Sequence, residues 1–285
     1  MPRSLARRRV VLSGCALAAT ALIPAATAVS ADAETEGGTS AIWQRVRQGL
    51  FQNRPIETDA GDVIALEAPL RAEDAATVPI AIRTAVASSP ARMVRKVWLV
   101  IDHNPSPLAA VFTFSAQSGR ADIETRVRIE EYTTMRAIAE TADGRLVMVT
   151  RWVKASGGCS APAGKDAAAA LASVGRMKLR VDDTAVVGRP VQAQLMISHP
   201  NSSGLAMDQV TRLYQPPYFV RRVTVSYAGK PVLEADVDFS ISENPNFRFF
   251  FVPDGDGELK AEVVDSRDLT FENRLVIRPR VAAAS

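Results

Sequence analysis

From Asp62 to the end the chain is written in short runs that read as β-strands, and this pattern constrains its fold more than any other feature. Two sets of seven occur, at 62–67, 77–84, 95–101, 109–114, 122–129, 133–141 and 145–153, then at 176–181, 190–198, 219–227, 231–239, 247–251, 258–265 and 269–277. Most are rich in β-branched or aromatic residues and are bounded by turn-forming ones. The clearest is Asp122 to Ile129, where Ile123, Val127 and Ile129 alternate with Asp122, Glu124, Arg126 and Arg128, predicting one buried and one wet face. Asp143-Gly144 between two runs signals a hairpin. No long helical period alternates with the strands, which excludes a doubly wound sheet or a β/α barrel. The expectation is an all-β protein of two immunoglobulin-like antiparallel sandwiches, the second covering one face of the first.

Ahead of the strands, Ile42, Trp43, Val46, Gly49 and Leu50 recur at helical spacing behind Ser40 as a cap, predicting one short N-terminal helix over 40–52. Between the two sets, Ser160 to Ser173 reads SAPAGKDAAAALAS, small residues without β alternation, as an interdomain linker in which Asp166 to Leu171 can form a helical turn. The organisation expected is therefore a leader over 1–28, a polar segment and helix over 29–55, a first sandwich over 56–159, a linker over 160–173 and a second sandwich over 174–285.

The leader carries Arg7-Arg8-Arg9, then a mild Ala-rich apolar stretch from Val10 to Val29, then Ala26-Thr27-Ala28 as an A-x-A cleavage site. Arginines followed by Val10, Val11 and Leu12 resemble the twin-arginine export pattern, which implies export in the folded state. Leu12 to Cys15 also matches a lipoprotein box, but about five residues separate Cys15 from the arginines where a hydrophobic region needs roughly 7–15. A cleaved, exported and unlipidated protein in the periplasm is expected, with no stable membrane association. The 34 basic and 31 acidic residues include four arginines in the leader and no leader acid, so the mature chain holds 30 against 31, or −1. Such a balance excludes nucleic-acid binding and electrostatic membrane attachment.

Cleavage removes Cys15 and leaves Cys159 as the single cysteine. In an oxidising compartment a lone thiol pairs between chains or oxidises, so its presence needs a reason. It lies in Ser156-Gly157-Gly158-Cys159-Ser160-Ala161, directly after the strand ending near Val153. The flanks offer no apolar pattern to bury, Gly157 and Gly158 read as sources of arm flexibility, and six extended residues from Val153 reach roughly 20 Å. An exposed thiol able to enter a partner's cleft is predicted, and with it a disulfide dimer through Cys159.

Other residue types point to turns. His103 and His199 sit beside Asn-Pro or Pro and read as surface turn residues, and two scattered histidines with one cysteine give no metal spacing. Asp254-Gly255-Asp256-Gly257 opens like a calcium loop but has Glu258 and Leu259 where a further ligand and glycine belong, so it reads as a hairpin turn. No C-x-x-C pair supports a dithiol oxidoreductase. Gln215-Pro216-Pro217-Tyr218 reads as a loop before a strand. No catalytic residue, metal or cofactor is expected.

Trp152-Val153-Lys154 leading into Gly157-Gly158-Cys159 resembles the carrier arm of SoxY, the sulfur-compound carrier subunit of bacterial thiosulfate oxidation. Leu66-Glu67-Ala68-Pro69, Ala72-Glu73-Asp74, Val78-Pro79-Ile80 and Asp102 to Leu108 are similar to that subunit's first strands and Asn-Pro turn. His199-Pro200, Gly204, Tyr218-Phe219-Val220, Gly229-Lys230 and Ser242-Glu243-Asn244-Pro245 resemble SoxZ, its partner subunit. Fused in one exported chain, the two resemble the quinoprotein dehydrogenase-associated SoxYZ-like carriers. The resemblance implies a SoxY-like then a SoxZ-like sandwich, and a non-enzymatic carrier whose Cys159 sulfur holds a sulfur-containing intermediate. Separate periplasmic enzymes, of sulfur oxidation or linked to a quinoprotein dehydrogenase, would act on that intermediate. The family's arm reads G-G-C-G-G and ends in a free carboxyl terminus, whereas here Ser160 and Ala161 come next and the chain continues, which favours a different partner or cargo. Two rivals from other classes are a periplasmic binding or adhesion module with an incidental cysteine and a thiol-based redox chaperone.

Overall fold

The computed structural model describes residues 40–58, 62–85, 89–161, 167–208 and 212–281. The leader, the polar stretch up to residue 39 and linker residues 162–166 lie outside the described residues. In chain order, α1 (Ala41–Phe51) precedes β1 (Ile56–Glu57), β2 (Ile64–Glu67), β3 (Val78–Thr84), β4 (Val94–Ile101), β5 (Leu108–Phe114), β6 (Ile123–Val127), β7 (Thr133–Thr141) and β8 (Leu146–Val153). After α2 (Ala167–Ala172) come β9 (Met177–Val181), β10 (Val191–Ile197), β11 (Val220–Tyr227), β12 (Lys230–Val237), β13 (Asn246–Phe251), β14 (Gly257–Asp265) and β15 (Thr270–Ile277). Every run read from the sequence is a strand. The strand not foreseen is β1, two residues long, which pairs parallel with β8 through Ile56 and Leu146.

The strands form two facing sheets, of order β1-β8-β7-β4-β5-β12-β11-β14-β15 and β2-β3-β6-β13-β10-β9. Each half supplies strands to both sheets, as a sandwich must. The halves do not stack face on face as expected; they join edge to edge. One seam runs antiparallel between β5 and β12, from Phe114 opposite Leu233 to Ala110 opposite Val237. The other pairs β6 with β13 through Ile123 opposite Phe249 and Glu124 opposite Arg248. The physical reason is that β5 and β6 would otherwise be open edges presenting unpaired backbone groups. Side chains close over the seams too. Phe112 meets Phe247 edge to face at 6.4 Å, and Glu124 is within 2.7 Å of Arg83 and 3.2 Å of Arg248. A single hydrophobic cluster, containing Leu99, Phe112 and Ile123 from the first half and Val225, Phe247 and Phe251 from the second, runs through both.

Because sheets and core cross between the halves, they are expected to unfold together. Calorimetry should give one cooperative transition, and two resolved transitions would contradict the shared core.

α1 lies on the outer face of the larger sheet, with Trp43 and Phe51 packed against Val100, Ile138, Leu146 and Met148. Ser40 caps it as predicted, its Oγ accepting from the Trp43 N–H at 2.8 Å. The same hydroxyl donates to Asp102, a buried carboxylate that also receives Arg136 Nε at 2.9 Å and Nη2 at 2.7 Å.

The wet face predicted for 122–129 needs correction at both ends. Asp122 is buried and accepts from the Thr84 N–H and Oγ1, and Arg128 is 5% exposed. Both flank β6, where the chain leaves the strand and the two-residue period no longer sets direction.

Candidate functional site

Beyond β8 the chain is laid down and pinned. Lys154 donates its N–H to the Leu70 carbonyl, then the N–H groups of Gly157 and Gly158 donate to the carbonyls of Glu130 and Ile129 at 2.8 and 2.9 Å. Gly157 has φ +80°, a left-handed conformation that glycine adopts without strain. Gly158 is required for another reason, since a Cβ there would stand 2.0 Å from the Ala75 carbonyl oxygen and 2.7 Å from that of Ile129. These glycines let the loop lie flush against two backbone segments; they do not make a swinging arm here.

The Glu130 carboxylate organises the next two residues. Its Oε2 accepts the N–H groups of Cys159 (2.8 Å) and Ser160 (3.0 Å), and its Oε1 accepts Ser160 Oγ at 2.8 Å. From the second half, Ser203 Oγ donates to the Cys159 carbonyl at 2.5 Å. Cys159 is consequently 1% exposed, which corrects the expectation of an exposed thiol. The small flanks carry no apolar pattern, but the loop is held by hydrogen bonds to its backbone, not by apolar side chains. In this conformation no sulfur surface is offered to a second chain, so the expected Cys159 disulfide dimer has no route without opening.

Burial chiefly, and then the Glu130 carboxylate, push the Cys159 thiol up to about 12, with Asp238 adding and Arg128 opposing. At neutral pH its thiolate fraction is on the order of 10⁻⁵, against a few per cent for an ordinary cysteine. Native protein should therefore react with a thiol reagent at pH 7 on the order of 10³ more slowly than the denatured chain. Equal rates in the two states, followed by mass spectrometry, would contradict the docked loop.

The second half reaches the site through the segment between β10 and β11. His199 is buried, which corrects its reading as a surface turn residue. Its Nδ1 accepts the Asn201 N–H at 3.0 Å, which leaves the ring proton on Nε2, 3.8 Å from Asp265. Asn201, fully buried, accepts Val220 N–H on Oδ1 and donates Nδ2 to the Ile241 carbonyl. Its own carbonyl lies 3.4 Å from Arg128 Nη2, and Arg128 Nη1 lies 3.3 Å from the Gly158 carbonyl. Asn104 closes the frame, donating to the Arg128 carbonyl and accepting the Glu130 N–H.

Burial, partly opposed by Asp265, lowers His199 to about 4 from its ordinary 6.5. Between those values the unfolded chain takes up a proton that the native state refuses, so this group removes stability as pH falls through that window. Melting midpoints should decline from pH 7 to 4.5 more steeply in the wild type than in His199→Gln; identical slopes would contradict the neutral buried imidazole.

His103 sits in a turn as read, its Nδ1 2.8 Å from the Tyr132 carbonyl. Asp254 pairs with Lys230 in the turn before β14. Tyr218 is buried and bridged to Ser202, so it belongs to the segment beside the cysteine. Among the described residues no group of three or more His, Cys, Asp or Glu is placed to hold a metal ion. Sequence reading finds Cys159 and its glycines. It misses Glu130, Ser203 and Asn201, and it assigns Arg128 to solvent; the one available signal is the resemblance around Asn104 and His199.

Comparison with known proteins matches residues 47–159 to the sulfur oxidation protein SoxY and residues 178–276 to the sulphur oxidation protein SoxZ, the first match ending on Cys159. No curated protein matches the chain. Among solved structures it is similar to the sulfur carrier protein SoxY from Chlorobium limicola f thiosulfatophilum, at 22% identity over 41% of this chain and 97% of that one, with a TM-score of 0.34. It is also similar to the superoxide reductase (neelaredoxin) from Ignicoccus hospitalis, at 17% identity over 42% of this chain and 89% of that one, with a TM-score of 0.28. With a SoxY region followed by a SoxZ region in one polypeptide, the chain belongs to the SoxY and SoxZ families as a fused SoxY–SoxZ protein.

Proposed function

We propose that this protein is an exported periplasmic carrier that holds a sulfur-containing intermediate covalently on Cys159 Sγ, while partner enzymes of a sulfur-oxidation or quinoprotein dehydrogenase-linked pathway act on it. The observation that carries this reading is the place of Cys159: it is the last residue of the SoxY match, in a glycine loop clasped by the SoxZ-like half. Each half then has a part. The first presents the loop, and the second supplies Ser203 and Asn201 to close it.

A thiol pushed up to about 12 is a poor nucleophile on its own, which supports a carrier acted on by others over an enzyme. The closed loop is read as the resting state, and a loading enzyme must lift the Cys159 backbone from Glu130 and Ser203 before the sulfur reacts. The same closure disfavours a redox chaperone, which needs an accessible thiol for its clients. Signal-directed export fits the leader, and among the described residues no helix is long and apolar enough to cross a membrane.

The test is complementation of a strain lacking this protein. Cys159→Ala should fold, accumulate to normal level and restore no pathway activity, because the attachment atom is gone. Restored activity would sink the carrier reading and favour a binding module with an incidental cysteine.

A further inference from the structure

Arg128 is the least satisfied charge beside the sulfur. It is 5% exposed, its Nε–H has no hydrogen-bond partner, and its other contacts are the 3.3 and 3.4 Å approaches to the carbonyls of Gly158 and Asn201. No carboxylate stands within 4 Å of the guanidinium among the described residues. A buried cation held only by two long bonds to neutral carbonyls is expensive to keep and is normally paired. Burial lowers the Arg128 pKa, and among the negative groups that offset this the first is Cys159 itself, ahead of Glu243 and Asp74.

The Glu130 carboxylate, the nearest strong acid, is already occupied by three donors of the loop. Together with Asp238 it repels negative charge at the sulfur, so Arg128 is the one group of this set that favours it. Its planar fork of N–H groups suits a sulfur oxyanion, and its two weak carbonyl bonds can be exchanged for stronger charge-assisted ones.

We propose that Arg128 is the specificity-determining counter-charge for an anionic group carried on Cys159, so that the closed loop retains sulfonate-ended adducts in preference to neutral ones. This rests on the reading of Cys159 as the attachment atom, and it goes beyond that reading by naming the class of cargo and the residue that selects it. A merely structural Arg128, gluing the two loops through their carbonyls, would act on every adduct alike.

The experiment attaches two groups chemically to the mature full-length protein. In tetrathionate the Cys159 thiolate attacks a central sulfur; the central S–S bond breaks, thiosulfate leaves with the electron pair, the thiol proton goes to solvent, and Cys159–S–S–SO₃⁻ forms. In methyl methanethiosulfonate the same attack releases methanesulfinate and leaves neutral Cys159–S–S–CH₃. Both are loaded in mild denaturant, refolded and checked by intact mass. Release by dithiothreitol is then timed in native and denatured protein, and the ratio of the two rates is the protection of each adduct.

In the wild type the anionic adduct should be protected roughly 10- to 100-fold more than the methyl adduct, the range expected of hydrogen bonds to a charged group. Arg128→Gln should remove that difference while leaving the methyl adduct's protection within about twofold, and Arg128→Lys should restore part of it. Equal protection of the two adducts in the wild type, or an equal fall of both in Arg128→Gln, overturns the proposal. If Arg128→Gln does not fold, the wild-type comparison of the two adducts still decides. Because the groups are attached by chemistry, the result is independent of whether cells load Cys159, which complementation with Cys159→Ala tests separately.

Discussion

Gly158→Ala is expected to open the site: native Cys159 should react with a thiol reagent at pH 7 roughly two to three orders of magnitude faster than in the wild type, the gain that an ordinary thiolate fraction brings. The added Cβ would stand 2.0 Å from the Ala75 carbonyl oxygen, and its neighbour at 2.7 Å is the Ile129 carbonyl, so both obstacles are backbone and neither can swing aside. The loop must lift. Lifting it breaks the bonds from Glu130 and Ser203, returns the sulfur to water and removes the burial that holds the thiol up at about 12. Gly157→Ala is the control. Its Cβ meets only Ser160 Oγ, at 3.9 Å. The substitution therefore costs roughly 1–2 kcal/mol for the left-handed φ and leaves the loop docked. Equal labelling of Gly158→Ala and wild type, measured by mass spectrometry over time, would show that the loop is not held where the structure places it.

The second large effect concerns stability. Arg136→Met should lower it by roughly 3–5 kcal/mol, the usual cost of removing one partner of a buried ion pair, and lower the melting midpoint by on the order of 10 °C. Arg136 is 2% exposed and bonds Asp102, itself fully buried, with Nε and Nη2; its guanidinium also lies 4.7 Å from the Trp43 ring. Without it, Asp102 keeps the Ser40 hydroxyl as a side-chain donor, and α1 loses its electrostatic anchor on the larger sheet. Labelling of Cys159 should be unchanged, because Asp102 and Arg136 hold the helix and not the loop. A shift below about 2 °C would mean that the pair contributes little beyond a hydrophobic substitute.

Strands are legible because a sandwich leaves its inside-outside alternation in the sequence, and the runs from 62–67 to 269–277 are strands in the structure. What alternation cannot encode is the partner of an edge. Nothing local to Leu108–Phe114 or Lys230–Val237 says that they pair with each other, so the halves read as separate sandwiches when they share both sheets. Direction also fails where a strand ends, which is why alternation alone puts Asp122 and Arg128 in solvent.

At the site, the identity of the important atom is legible and its state is not. Cys159 stands out by arithmetic, as the one cysteine left after the leader. Its burial depends on Glu130 and Ser203, 29 and 44 residues away in sequence, and both bond its backbone, which carries no residue-type signal. The glycines point to a special backbone, correctly, but Gly158 serves close approach and not freedom of movement.

The central claim is that Cys159 carries a sulfur-containing group. Its most direct test is intact-mass and peptide mass measurement on the protein taken from the periplasm of cells oxidising sulfur compounds. A sulfur-containing mass increment on the Cys159 peptide, removed by dithiothreitol, is the predicted result; an unmodified Cys159 thiol throughout would contradict it.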